Sequence, residues 1–474
     1  MVAVEDSIRA LTYRQLTRLS VVFSRLVRQE TDADRVAVML PASAAFPAVL
    51  FGVLWAKRIA VPLNFLLHAD ELARVVQDAG VEVIFTIHHF QELAGQLPAR
   101  AVYLEELPLK RMMLFSMLRP PPPAPTVQAD DTAVILYTSG TTAEPKGAEL
   151  TYRNLHSNCI DALASLDIRR PQTMLNVLPP FHVFGLTAGV LVPIALGATV
   201  AAVPRFSPVS FVKTVAGKRV TVMMAIPSMY AAVLKAKSAT REMFQSVKLA
   251  ISGGEPLSDS VRQGFLERFG VRLGEGYGLT ETSPVVSACS ESHYRDGSVG
   301  RPIRHAEVQI VDVEGREVSR GGVGEILVRG PGVMKGYYRK PEETRRVIDS
   351  EGWFHTGDIG RRDDDGFLYI TGRAKEMLII GGENVFPREI EAVLEDHPGV
   401  LQAAVIGVAD EARGEAAVAF VIPQPGAEVG EEELKRFARK SIAGFKVPKR
   451  IVIREDLPKG PTGKILKRKL HDLL

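Results

Sequence analysis

Cysteine is nearly missing from this chain: Cys159 and Cys289 are the only two in 474 residues, far apart and in no paired spacing. That excludes a disulfide framework and a thiolate zinc site, and it suits a reducing, cytoplasmic setting. A dominant sign of charge is missing too. With 58 Lys and Arg against 55 Asp and Glu, the net charge of +3 makes no case for a nucleic-acid partner. No export signal is evident either, because Glu5 and Asp6 stand where such a signal needs a basic end and an apolar run. The uncharged stretch from Val183 to Val203 is long enough to span a bilayer, but Gly185, Gly189, Pro193 and Gly197 interrupt it. It reads instead as a buried helix, a turn at "PIALGA" and a strand "TVAAV".

What is present is a globular composition, 46% hydrophobic and 24% charged, in a chain too long for one ordinary core. Between Asp34 and Gly278 the runs "RVAVML", "VEVIFT", "TAVILYT", "TMLNVLP", "TVMMAIP" and "VKLAISGG" each precede a helical pattern. This alternation predicts an α/β, multi-layer N-terminal domain with parallel sheets, in which ligands sit at the carboxyl ends of strands. From about residue 298 to 372 the texture changes to Gly-punctuated strands, "AEVQIVD", "GEILVRG" and "GFLYITG", which predict a small β-rich subdomain. Beyond "GRAKE" a helix, two strands, a helix and a strand predict a separate, mobile α+β C-terminal domain, with domains at 1–375 and 376–474.

At the end of "TAVILYT" stands "YTSGTTAEPKG", which places Thr138, Ser139, Gly140, Thr141 and Thr142 in a hydroxyl-rich turn suited to phosphate oxygens. It is not a Walker A loop, which ends in Gly-Lys-Ser/Thr and opens a helix. Here Pro145 precedes Lys146, and Thr151 is the natural N-cap of a helix that starts only after "AEL".

Four further motifs follow in order: "YGLTETSP", "GWFHTGDIG", "GRAKEMLIIGGENVFPREIE" and "PKGPTGKILKR". With the loop, they make the chain resemble the adenylate-forming superfamily of acyl-CoA synthetases, amino-acid adenylation domains and firefly-type luciferases, from Leu11 to its end. The resemblance implies ATP, Mg²⁺ and CoA as cofactors. It also implies two half-reactions: a carboxylic acid and MgATP give acyl-AMP and pyrophosphate, then a thiol takes the acyl group and releases AMP.

By the same resemblance, Tyr277 and Gly278 adjoin adenine, whose pocket is lined by Gly254, Glu255 and Pro256 of "ISGGEPL", while Thr280 meets the α-phosphate. Glu281, with Thr142, supplies hard oxygens for Mg²⁺, a metal that binds through few carboxylates plus substrate phosphates. Asp358 accepts from the ribose hydroxyls, Arg373 reaches the same ribose or the phosphate, and Lys146 holds the β- and γ-phosphates. Lys464 is the strongest catalytic candidate, since a positioned ammonium stabilises charge gathering on the phosphoryl oxygens. Lys467, Arg468 and Lys469 after it read as a solvated face. Trp353, Phe354 and His355 read as structural.

His182 stands in "PPFHVFG", where amino-acid adenylation domains carry an Asp for the substrate ammonium, so an amino acid is disfavoured. The resemblance implies that His182 adjoins the acyl carboxylate as a gate; the alternative is a buried, satisfied His. The apolar "VFGLTAGVLVPIALGA" and "AIPSMYAAVL" point to a fatty acid. The C-terminal domain is expected to rotate about Glu376, withdrawing Lys464 and bringing in Gly381 and Gly382, which leave room for a pantetheine arm.

Ala143 departs from the family's usual Gly or Ser, and the lead-in before Thr12 is short, which bears on whether the chain forms a homodimer. The stretch "KRMMLFSMLRPPPPAPT" reads as a basic, apolar lip (110–119) at a membrane surface, or as a loop with a packed anchor. Rival activities are loading an acyl-carrier protein or stopping at acyl-AMP. A catalytically degenerate nucleotide-binding protein is a rival of another class, disfavoured by intact Lys464, Glu281 and Asp358.

Overall fold

All six β-branched runs form strands in the computed structural model, which describes residues 1–118, 120–138, 144–169, 172–410, 413–459 and 465–474. They divide between two sheets. The seven-stranded sheet runs in the order Gly336–Tyr337, Lys146–Thr151, Thr132–Thr138, Ile59–Pro62, Arg35–Val38, Val83–Thr86 and Arg100–Tyr103. Its pairings are parallel from Thr132–Thr138 onward and antiparallel at the other edge. The nine-stranded sheet has a parallel centre: Leu273–Gly278, Leu249–Gly253, Val222–Ala225, Thr173–Asn176, Thr199–Ala202 and Val2–Glu5. Strands covered on both faces read as continuous apolar runs, and Val83–Thr86 is buried throughout.

Glu307–Val311, Val323–Arg329, Phe354–Arg362 and Leu368–Arg373 form a four-stranded antiparallel sheet. Two short strands from the same stretch leave it for the larger sheets. Arg301–Pro302 joins the nine-stranded one, and Gly336–Tyr337 the seven-stranded one. The last hundred residues build a five-stranded sheet around Val400–Asp410 and Gly414–Pro423. Helices Pro387–Glu395 and Glu431–Ala438 cover it, burying Ile390, Leu394, Leu434 and Ala438 against Val405, Val421 and Ile451.

The uncharged stretch forms helix Val183–Leu186, a π-helical turn Thr187–Leu191 and helix Val192–Leu196, closed by Gly197 at φ 75° before strand Thr199–Ala202. Among the described residues no helix is long and apolar enough to cross a membrane. The stretch read as a lip or loop is a helix, Leu109–Met117. Its Leu109, Met112 and Met113 pack on the main core, while Leu114, Phe115, Met117 and Leu118 are more than half exposed.

Candidate functional site

The phosphate-loop candidate is the connection of a β-hairpin: strands Thr132–Thr138 and Lys146–Thr151 are antiparallel, with Thr138 opposite Lys146. Ser139, Gly140, Thr141, Thr142 and Ala143 lie outside the described residues. Thr151 caps helix Tyr152–Ser165 in a reciprocal box with Asn154, so strand and helix are separated as the sequence predicts.

That helix carries a pair of positioning residues that sequence reading missed. Asn154 Nδ2 donates to the carbonyls of Pro331 (2.9 Å) and Val333 (2.7 Å). One turn on, Asn158 Nδ2 donates to Val285 O at 2.8 Å and Thr282 O at 3.2 Å, and its Oδ1 accepts from Val285 N at 3.2 Å. One helix therefore ties the phosphate hairpin to the "YGLTETSP" turn and to the segment leading into Tyr337. The available signal was Asn158 in the helix interior, where Asn is otherwise unfavourable; Asn154, in the capping box, gave none.

Thr280 and Glu281 lie on the single turn Thr280–Thr282. Gly278 is required just before it, because a Cβ there would meet Pro284 O at 2.0 Å. Glu281 Oε1 accepts from Tyr337 Oη at 2.8 Å, and Lys146 Nζ lies 5.7 Å from the centroid of the same Tyr337 ring. Burial first and Glu281 second hold the Tyr337 phenol well above its ordinary pKa, so it stays a donor. Lys146 Nζ is also 2.7 Å from Glu343 Oε2. Tyr337 and Glu343 are further residues the sequence did not single out.

Three predicted residues meet on one carboxylate. Tyr277 Oη donates to Asp358 Oδ2 at 2.8 Å across 81 residues, and Arg373 Nε stands 3.0 Å from Asp358 Oδ1. The strands explain the second contact, since Asp358 and Arg373 are register partners. Asp358 is 4% exposed, and burial together with its charge raises the Tyr277 pKa well above the phenol range. A buried carboxylate with a partner on each oxygen is pre-oriented. Gly254, at φ 83°, and Pro256 are exposed beyond strand Leu249–Gly253, with Glu255 half-buried between them.

His182 precedes helix Val183–Leu186, its ring 4.7 Å from Phe181. Burial lowers its pKa to about 4, so the imidazole is neutral at pH 7. Among the described residues its buried Nε2 has no hydrogen-bond partner, which counts against the satisfied-core reading. Phe181 also packs edge-on to Phe65 at 4.7 Å, and Phe184 lies 3.2 Å from a Cβ built on Gly253.

Lys464 lies outside the described residues. The basic run after it is not a solvated face throughout: Lys467 Nζ is 2.8 Å from both Glu376 Oε2 and Glu391 Oε1. Burial opposes its charge, but the two carboxylates outweigh burial and raise its pKa. Gly381 and Gly382 form the two-residue turn of a hairpin pairing Ile380 with Glu383, at φ 63° and 87°. A Cβ on either would meet nothing within 4 Å, so backbone conformation accounts for both glycines. His355 is paired with Glu325 and Asp349, and Phe354 is buried, as their structural reading requires.

Among the described residues no cluster of three or more His, Cys, Asp or Glu is placed to hold a metal. Glu281, fixed by Tyr337, fits a Mg²⁺ that keeps most of its shell from phosphates and water.

Comparison with known proteins identifies the family. The profile of the AMP-binding enzyme family matches residues 1–338, and that of the AMP-binding enzyme C-terminal domain matches residues 389–464. A feruloyl-CoA synthase from Amycolatopsis is 36% identical over 470 residues, covering 98% of this chain and 94% of its own. A long-chain-fatty-acid–CoA ligase from Salmonella typhimurium is 34% identical, with 98% and 90% covered. The crystal structure of ATP-bound MatB from Rhodopseudomonas palustris superposes with a TM-score of 0.91 at 29% identity, covering 100% of this chain and 95% of that one. With its motifs in order and its two domains matched in turn, the chain belongs to the AMP-binding enzymes of the adenylate-forming superfamily.

Proposed function

We propose that this enzyme activates a fatty acid to acyl-AMP with release of pyrophosphate and transfers the acyl group to CoA. It is an AMP-forming acid–thiol ligase that uses ATP, Mg²⁺ and CoA. The meeting of Tyr277, Asp358 and Arg373 supports the nucleotide assignment most directly, because residues from three separate motifs converge on one buried carboxylate.

In this reading Asp358 and Arg373 orient the ribose and Tyr277 offers its ring to adenine. Lys146 and the hairpin turn take the β- and γ-phosphates, and Glu281 supplies the metal's protein oxygen. His182, neutral and with an Nε2 that has no partner among the described residues, borders the acid carboxylate without adding a competing charge. Mg²⁺, when bound, screens the phosphate oxygens. Lys464 meets the charge developing at the α-phosphorus, and the C-terminal domain (376–474) turns about Glu376 to admit the thiol past Gly381 and Gly382. The exposed apolar residues of helix Leu109–Met117, beside Lys110 and Arg111, suit contact with an anionic lipid surface.

A second acid class has an observation in its favour. The aromatic group Phe65, Phe90 and Phe181 leads up to His182, and the 36% identical relative is a feruloyl-CoA synthase. Measuring AMP and pyrophosphate formation with acids of increasing chain length and with hydroxycinnamic acids, with and without CoA, separates these readings. A fatty acid is expected to give AMP, pyrophosphate and thioester together. Faster turnover of the aromatic acids would reverse the substrate assignment, and AMP without CoA thioester would favour a carrier protein as acceptor. No acid-dependent pyrophosphate from either class would remove the proposal.

A further inference from the structure

Glu343, from the first turn of helix Pro341–Val347, reaches Lys146 Nζ at 2.7 Å across 197 residues of sequence. The two side chains are largely shielded, 23% and 30% exposed, and the other oxygen of Glu343 is 2.6 Å from Arg346 Nη1. The contact has a built frame. Gly336–Tyr337 pairs with the strand that begins at Lys146, and Tyr337 N donates to Thr344 Oγ1 at 2.9 Å. A Cβ on Gly336 would come within 2.9 Å of Thr344, so the helix carrying Glu343 is pressed against the strand next to Lys146. The other nearby carboxylate, Glu144, is 2.9 Å from Lys340. Tyr337 joins the two halves of the cluster, its ring beside Lys146 and its hydroxyl on Glu281.

We infer that Glu343 is an internal stand-in for the departing pyrophosphate. It holds Lys146 beside Tyr337 in the empty site, yields the ammonium to the β- and γ-phosphates, and recaptures it as pyrophosphate leaves. Carboxylate and polyphosphate compete for one cation, and two anions around a single ammonium in a partly dry site repel each other. The competition involves only the terminal phosphates, so AMP does not experience it. This inference rests on the assignment of Lys146 to those phosphates.

The test is calorimetric titration of the full-length protein with MgATP, magnesium pyrophosphate and AMP, for wild type, Glu343→Gln, Lys146→Ala and the double variant. A partly shielded single ion pair is still weak, so Glu343→Gln is expected to tighten MgATP and pyrophosphate by about 2- to 5-fold while leaving AMP unchanged. In the Lys146→Ala background that gain should fall well below its wild-type value, because the ammonium being contested is gone and only direct repulsion by the carboxylate is left. Unchanged or weakened pyrophosphate binding in Glu343→Gln overturns the inference. So does an equal gain for AMP, or the same gain in both backgrounds. If Lys146→Ala alone leaves MgATP and pyrophosphate at wild-type affinity, the assignment of Lys146 itself fails, an outcome distinct from failure of the Glu343 inference.

Discussion

Burial takes the His182 imidazole from an ordinary pKa of 6.5 down to about 4, and among the described residues its Nε2 has no partner. The consequence for stability has a definite sign. Between pH 6.5 and 4 the unfolded chain binds a proton at His182 that the folded chain does not, so stability falls as pH falls, by up to about 3 kcal/mol. His182→Leu removes that titration. Its unfolding free energy relative to wild type should therefore shift in the variant's favour by roughly this amount from pH 7 to pH 4, read from urea midpoints. A difference that stays constant with pH would mean that His182 is solvated or already charged.

Residue identity was legible wherever chemistry demanded a type. Asp358, Arg373 and Tyr277 were named by their motifs, and they meet. Their mutual contact was not legible, because it depends on strand register and on a bond across 81 residues. Gly381 and Gly382 were explained in sequence by the room they leave, whereas their positive φ shows a turn that needs glycine in any case.

Periodicity identified the elements well where a strand or helix was long. It failed for Gly336–Tyr337, two residues with no repeat to read, although that strand carries Tyr337 to Lys146 and Glu281. It also failed for helix Leu109–Met117, whose apolar residues face both the core and solvent. Leu114, Phe115 and Leu118 are 65%, 57% and 76% exposed, a cluster that isolated surface hydrophobics do not form. If the helix rests on lipid, the variant Leu114→Ser/Phe115→Ser should co-sediment with anionic vesicles at least about tenfold less than wild type, since each buried side chain contributes roughly 1.5–3 kcal/mol. Its melting temperature should be kept. Equal sedimentation of both proteins would assign the patch to some other contact.

For the whole molecule, the two half-reactions place opposite demands on one space. In the proposed mechanism Lys464 is needed while charge builds at phosphorus, and a thiol path is needed afterwards. Lys464→Ala should lower acid-dependent pyrophosphate release by about 10²-fold or more, the scale of losing a transition-state charge partner. It should retain much of the thioester formation from supplied acyl-AMP. Equal loss of both would make Lys464 a structural residue. Lys467, three positions on, holds Glu376 and Glu391 in the orientation described. In the proposed rotation about Glu376 the Lys467–Glu391 pair moves with the C-terminal domain, so Lys467–Glu376 is the contact that links the tail to the proposed hinge, which a reading of the tail as solvated had missed.

The sequence by itself determined the longer strands and helices, the fold family and the chemical types of the candidate residues its motifs carry. These follow from local pattern and from what phosphate, ribose and metal require of a side chain. Only the tertiary structure decided the pairings: Tyr277 with Asp358, Lys146 with Glu343, Tyr337 with Glu281, and Asn158 with the turn at Thr282. A hydrogen bond or ion pair acts over about 3 Å, and sheet order, not sequence spacing, brings such distant residues within that reach.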